Sequence, residues 1–533
     1  MTLSKLIKTD VFKFFSLYFL SNIFLLINFD AVYWDDWEIY NQNYQTLYNM
    51  FSEVIGNAGY LATEIHYNLL NIGNGVFIYR FLTFLLLFMN GIFVYHILKT
   101  ITIFNSRDIF YIVTFFLIAP VFSSKIALIN FPYILFSFIF FLAFYLLAKN
   151  IKDTNIILRV VILFLFFFSF IVNSLLVFYA IPLIYIFYVR YFSLSIGKAK
   201  KIKLFIMQNL DYIILPIIFY IIKLIYFAPD PNGQFVTYNQ ISLYSLLKAP
   251  ILVLFTFFTS FIQPLYATLF PWGIFVFIGL YIGYKFTSNF NTNFVKNRPY
   301  VYSNFLLLGL GGLFFFLGVF AYCAVGKIGN ADDWNSRFQL LVPLGFSFIL
   351  IYLVFFIAAR FKLSSNMQTI IFITLIISFV GKNLYDGYKY NVDWFYTTGI
   401  QENMKYNDTI KNYSTFIVSL ESNNYIANNR IVRFYEYNSL MKNAFGDEKR
   451  LMVNSLNELE KSKQYQQKKQ TYFSSWKESI PIYLTITPVH HISHLDIVKL
   501  FIYRFIDYKR FTNMTKKLVI ITVKDKNIYK VKE

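Results

Sequence analysis

The chain of 533 residues is 57% hydrophobic and only 14% charged, with a mean hydropathy of +0.52, whereas soluble proteins of this size carry roughly a quarter charged residues. The formal net charge of +20 is not a nucleic-acid footprint, because Lys and Arg sit in short clusters between apolar runs, where the positive-inside rule places them. The one cysteine, Cys323, excludes a disulfide framework and a cysteine-rich metal centre.

In chain order, Lys5, Lys8 and Lys13 flank an apolar run over about residues 11–29. No small-x-small cleavage site follows it, so the run is expected to be an uncleaved signal anchor with a cytoplasmic amino terminus. A polar, aromatic loop over 30–75 comes next and opens on Tyr33-Trp34-Asp35-Asp36-Trp37-Glu38. It contains two candidate amphipathic helices, NYQTLYNMFSEV and YLATEIHYNLLN, with apolar residues at three- and four-residue spacing. Such helices either lie on the bilayer surface or pack as an ordinary loop on neighbouring spans.

Further apolar spans are predicted at about 76–98, 108–123, 131–148, 157–173, 175–191, 209–227, 248–265, 270–285, 302–323, 339–358 and 367–381, each near the length that crosses a hydrocarbon core. Glycines in 308–313 suggest close helix packing. Basic residues at Lys99 and Arg107, at Lys149, Lys152 and Arg159, and from Arg190 to Lys203 mark cytoplasmic loops. Lys285, Lys296 and Arg298, and the pair Arg360 and Lys362, look cytoplasmic too. The first loop and the loop before Arg337 then fall on the exported face. Twelve spans leave the parity unclosed around 240–285, where QPLY and FPWG interrupt the apolar run. The expectation is an α-helical polytopic membrane protein of about 11–13 transmembrane helices over residues 1–381.

From about Lys382 the chain turns polar, and residues 382–533 are expected to form a small soluble, extracytoplasmic α+β domain. Its predicted elements are a helix at 395–421, a strand at 430–434 and a helix at 447–469. A strand at 482–487, a helix at 494–508 and a hairpin of KLVIITVK with NIYKVK follow.

The sharpest chemical feature is the pair Asp35 and Asp36 with Glu38 beside it. Adjacent carboxylates repel unless one is protonated, paired with a cation or bound to a metal. Either can serve as a general base or hold a divalent cation such as Mg or Mn; the competing reading is a helix cap and solvated charge. Asp36 is favoured over Asp35 because it sits further from the span. A second Asp-Asp-Trp occurs at Asp332, Asp333 and Trp334 and leads to Arg337, whose planar fork suits a phosphate. Arg80 and Lys223 lie near the ends of spans, where a cation is either functional or snorkels to the interface. His66, near Glu64, is expected at the surface, and His490, His491 and His494 give only a weak metal-ligand pattern.

A signal anchor, an exported loop opening on an acidic pair, many spans and a soluble tail resemble the GT-C superfamily of membrane glycosyltransferases. The resemblance rests on Asp35-Asp36, the amphipathic helices of the same loop and Arg80. It implies a bacterial plasma-membrane enzyme using a polyprenyl-phosphate-linked sugar donor and a surface glycan or lipid-linked glycan acceptor, with no nucleic acid involved. By resemblance, Asp35 or Asp36 would be the base or metal contact, and Arg80, Lys223, Arg337 and Glu38 would line the substrate site. A polysaccharide polymerase or ligase, and a lipid-linked sugar transporter or flippase, are the rival readings.

Overall fold

The structure is a computed structural model that describes residues 9–151, 155–228, 240–270, 273–289, 301–332, 334–421, 426–427, 430, 432–467, 473–489 and 493–524. Seven helices among these residues are long and apolar enough to cross a bilayer: Gly75–Lys99, Leu128–Lys149, Asn173–Phe192, Leu243–Leu269, Asn304–Cys323, Val342–Arg360 and Ser365–Tyr406. An eighth is reached if Lys198–Gln208 and Leu210–Tyr226, bent by 60° at their junction, form one broken span. The protein is therefore a helical multi-pass membrane protein, with fewer full-length spans among the described residues than the 11–13 expected.

The shortfall has a physical reason. The apolar runs at 11–29, 108–123 and 157–173 are helical, but their helices are Asp10–Asn22, Ser106–Ile118 and Ile156–Ser169; the run at 270–285 forms Gly273–Asn289, which adjoins residues outside those described. A helix of 13 residues rises about 20 Å against a hydrocarbon core of about 30 Å. The first run breaks at Ile23 and resumes as Phe24–Ile27. Conversely, QPLY does not interrupt its helix: Leu243–Leu269 runs through Pro264, which directly follows a π-helical turn over Phe258–Ile262. The FPWG break includes residues outside those described.

Small residues set the closest approaches. A Cβ added to Gly345 would come within 2.3 Å of the Phe315 backbone nitrogen, and one at Gly311 within 2.8 Å of that of Ile349. Gly309 and Gly312 face open space, so only one glycine of the 308–313 cluster makes the expected contact. Gly279 and Gly283 likewise press the Gly273–Asn289 helix onto Thr374 and Ile370 of Ser365–Tyr406.

That last helix runs unbroken for 42 residues, so the change in composition at Lys382 falls inside it and not at a linker. Beyond it, four strands alternate with helices: β1 Thr415–Leu420, β2 Leu451–Val453, β3 Ile482–Pro488 and β4 Val519–Val523. The sheet order is β2-β1-β3-β4. β1 is parallel to both neighbours, and only β4 is antiparallel, against β3. The expected strand at 430–434 is absent among the described residues, since Phe434 opens the helix Phe434–Phe445. The hairpin partner of β4 expected after residue 524 lies outside the described residues. Phe416 and Val418 of β1 join the core that runs continuously from Phe14 through the spans, while Ile417 packs with Leu451, Phe473 and Trp476 on the other side.

Candidate functional site

The acidic motif folds as a tight turn. Trp34 adopts φ of +49°, a left-handed conformation that costs a bulky residue of order 1–3 kcal/mol and persists only when surroundings enforce it. The surroundings are aromatic: Trp34 packs at 5.3 Å from Trp334 and 5.4 Å from Tyr390. The short helix Asp36–Ile39 follows, and the turn sends the two adjacent carboxylates in different directions.

Asp36 points inward and is fully buried. Its two oxygens accept from the backbone N–H of Tyr33 at 3.2 Å and of Ile129 at 3.0 Å. Burial pushes its carboxyl up to about 7, against the pull of Arg80 and these N–H donors. Arg80 is buried as well. It donates to the carbonyl of Ala31 at 2.6 Å and to that of Ile126, and lies 5.5 Å from the centre of the Tyr33 ring. Asp36 and Arg80 thus clamp the first loop to the 119–130 connection. With its oxygens taken and no exposure, Asp36 offers nothing to an acceptor, so the distance argument that favoured it does not survive its burial.

Asp35 points the other way, with its side chain 32% exposed. The Tyr435 hydroxyl donates to it at 2.6 Å, and Arg337 stands 3.8 Å from its second oxygen. Burial raises its carboxyl above the ordinary range, while the Tyr435 hydrogen bond and the charges of Arg337 and Arg433 pull it down. Glu38, one helical turn on, is half-buried and makes no hydrogen bond or ion pair among the described residues. Burial and the neighbouring Asp35 push it up to about 8, a shift toward the protonated form.

The second Asp-Asp-Trp motif comes to meet the first. Arg337 lies 4.4 Å from the Trp334 ring centre and 4.9 Å from that of Phe338. Lys327 covers the same Phe338 ring at 5.4 Å, and burial together with Arg337 holds its ammonium down at about 8. Ser336 fastens this turn to the 119–130 connection by accepting from the Ser124 N–H at 2.7 Å. Asp332 faces away and binds Lys382 at 3.1 Å, which also holds Asp386 at 2.6 Å. Asp333 is outside the described residues.

The C-terminal segment closes the site from two sides. The helix Phe434–Phe445 rests on Asp36–Ile39, where Ser439 donates to the Trp37 carbonyl at 3.2 Å and Asn41 donates to Asn443 at 2.9 Å. A buried ion network fixes that helix: Arg430 pairs with Asp393 of the long helix at 2.7 Å and with Glu436 at 2.5 Å. On the other side Arg504 pairs with Asp30 and donates to Asn391 at 2.8 Å. The first loop and the C-terminal segment therefore share one face of the membrane.

Of the residues singled out from sequence, Asp35, Glu38 and Arg337 converge, and Asp36 and Arg80 lie beneath them as a clamp. Lys223 does not join them: it sits on the bent helix pair, with no hydrogen bond or ion pair among the described residues. His66 is a core residue, not a surface one. It meets the Tyr79 hydroxyl at 2.5 Å, and burial holds it down at about 3. His490 and His491 are outside the described residues, and of the His494 side chain nothing is described. Tyr435 and Lys327 carry no motif of their own. Lys382 and Asp386, an i,i+4 pair of charges continuing an apolar helix, were the readable signal for the separate ion cluster that holds Asp332.

Among the described residues no group of three or more metal-ligating side chains converges. Asp36 is consumed by backbone donors, and Asp35 already has a guanidinium and a hydroxyl. Among the described residues the donor set does not fit a resident Mg or Mn ion.

No known family model matches the chain, and no curated protein sequence matches it. Fold and site together define its class: a helical multi-pass membrane protein whose first loop, second Asp-Asp-Trp loop and C-terminal segment meet around Asp35.

Proposed function

We propose that this protein is a GT-C-type membrane glycosyltransferase. It moves a sugar from a polyprenyl-phosphate donor to a surface glycan or its lipid-linked precursor on the extracytoplasmic face. The observation that carries the reading is Asp35, a partly open carboxylate beside Arg337, with Lys327 on the Phe338 ring that Arg337 also covers. Three helices support the placement of the face. Gly75–Lys99, Leu128–Lys149 and Val342–Arg360 each start at the site and end on a basic residue, the end the positive-inside rule assigns to the cytoplasm.

The acceptor hydroxyl gives its proton to Asp35 as its oxygen bonds to the anomeric carbon. The bond from that carbon to the phosphate oxygen breaks, and the electron pair stays on the lipid phosphate. Arg337 and Lys327 neutralise the charge that develops there. A donor phosphate that draws Arg337 away from Asp35 also removes a cation that lowers the carboxyl's pKa. The base thus strengthens when the donor is in place. Protonated Glu38 adds no negative charge against the phosphate.

The test is transfer by membranes carrying Asp35→Asn. The expected result is a loss of roughly 10²-fold or more, typical for a general base. Intact carrier-linked sugar should accumulate, and the glycan should lack one residue. Full transfer by this variant sinks the reading, and a carrier stalled on the inner leaflet would mark a flippase instead.

A further inference from the structure

The helix His494–Ile506 has two apolar faces where a helix packed on a soluble core needs one. Its inner face, Ile497, Leu500 and Phe501, packs into the common core. Its outer face presents Leu495, Val498, Ile502, Phe505 and Ile506 at three- and four-residue spacing, each between 49% and 72% exposed. Among the described residues Phe29 touches the stripe at Phe505, and its members stay about half or more exposed.

What lies next to the stripe indicates what covers it. Phe505 packs on Phe29 at 5.1 Å and Phe501 on Phe24 at 6.2 Å, so the helix sits against the end of the first apolar run. Tyr388, at 6.5 Å from Phe501, and Tyr385 lie on the neighbouring long helix with Lys389 over the Tyr385 ring, the aromatic and basic composition of a membrane interface. The next helix, Tyr508–Lys516, begins Tyr508-Lys509-Arg510 and ends in Lys516, with Lys517 after it. That charge is complementary to anionic headgroups.

We propose that His494–Ile506 is an in-plane interfacial helix whose occupant is the lipid bilayer, with Leu495, Val498, Ile502, Phe505 and Ile506 inserted among the acyl chains. It anchors the C-terminal segment to the membrane on the side of the first loop opposite Phe434–Phe445. The proposal is independent of the chemistry assigned to Asp35.

The test uses the full chain in nanodiscs containing phosphatidylglycerol. In a Cys323→Ser background, Val498→Cys, Ile502→Cys and, as an aqueous control, Glu460→Cys each carry a spin label. The labels at 498 and 502 should be relaxed by oxygen more than by a water-soluble nickel chelate, and the label at 460 the reverse. The unsubstituted protein, treated with a photoreactive lipid, should be labelled on the 494–508 peptide to the level of Gly75–Lys99, with Leu456–Gln467 at background. Nickel-dominated relaxation at 498 and 502, or an unlabelled 494–508 peptide, overturns the proposal. So does spin–spin broadening that shows a second copy on the stripe, or labelling of 494–508 that appears only after truncation at Lys524.

Discussion

At the scale of residues, Asp35 and Asp36 predict opposite phenotypes. Asp35→Asn should lose transfer while folded protein is recovered at the normal level. Asp36→Asn turns an amide donor toward backbone N–H groups that need acceptors, and a buried donor left unsatisfied costs about 1–3 kcal/mol. Its expected signature is a lowered thermal midpoint in detergent, read by size-exclusion after heating. Glu38 adds a pH dependence. Its folded carboxyl is raised to about 8 from an ordinary value of 4.5, so the folded state holds a proton that the unfolded state releases. Stability conferred by that proton is present at low pH and is lost as pH rises through this window. Glu38→Gln should therefore flatten the fall in thermal midpoint between these two pH values; an unchanged slope would place the titration elsewhere. The sequence drew attention to this cluster but could not divide the roles within it. The division depends on a left-handed Trp34 and on an N–H at Ile129, 93 residues further along the chain.

At the scale of elements, Phe434–Phe445 is the piece that completes the site. Tyr435→Phe removes a hydrogen bond that favours the ionised form of Asp35. A hydrogen bond to a charged group is worth about 1.5–3 kcal/mol, so the acidic limb of the pH–rate profile should move upward by about 1–2 pH units. A limb that stays put would detach Tyr435 from the base. The helix itself depends on Arg430. Arg430→Met leaves Asp393 and Glu436 buried without their cation, a loss of about 3–5 kcal/mol in comparable cases. Faster limited proteolysis between residues 407 and 434 and a lower midpoint are the expected readouts. β3 was legible because Ile482, Leu484 and Ile486 alternate with Tyr483, Thr485 and Thr487, the β-branched and aromatic pattern of a strand. Phe434 was not, because Arg-Phe-Tyr at a strand end and at a helix start look alike without the Glu436 side chain that accepts from the Arg433 N–H at 3.0 Å. Tyr435 meets Asp35 across 400 residues, a separation no local pattern reports.

At the scale of the whole molecule, the multi-pass architecture was readable from composition. The number of full-length spans was not, because hydropathy marks where a chain is apolar and says nothing of where a helix breaks, as at Ile23. The docking of the C-terminal segment on the first loop has a direct check. Asn41→Cys with Asn443→Cys, in a Cys323→Ser background, should oxidise to an intrachain disulfide and shift mobility on a non-reducing gel. Failure of that pair to crosslink would separate the segment from the loop. The long helix Ser365–Tyr406 connects the two halves of this arrangement. At 1.5 Å per residue its 42 residues extend about 63 Å, roughly twice the hydrocarbon thickness. One rigid rod therefore carries Thr374 inside the bilayer and Asp393 under the Arg430 network outside it. A span longer than the bilayer is thick accommodates partly by tilting, so a thinner or thicker membrane should alter the seating of Tyr435 on Asp35, read as a change in the rate of the Asn41→Cys/Asn443→Cys crosslink between lipids of different chain length. On that expectation the lipid around the protein is, in mechanical terms, part of the linkage between the long helix and Asp35.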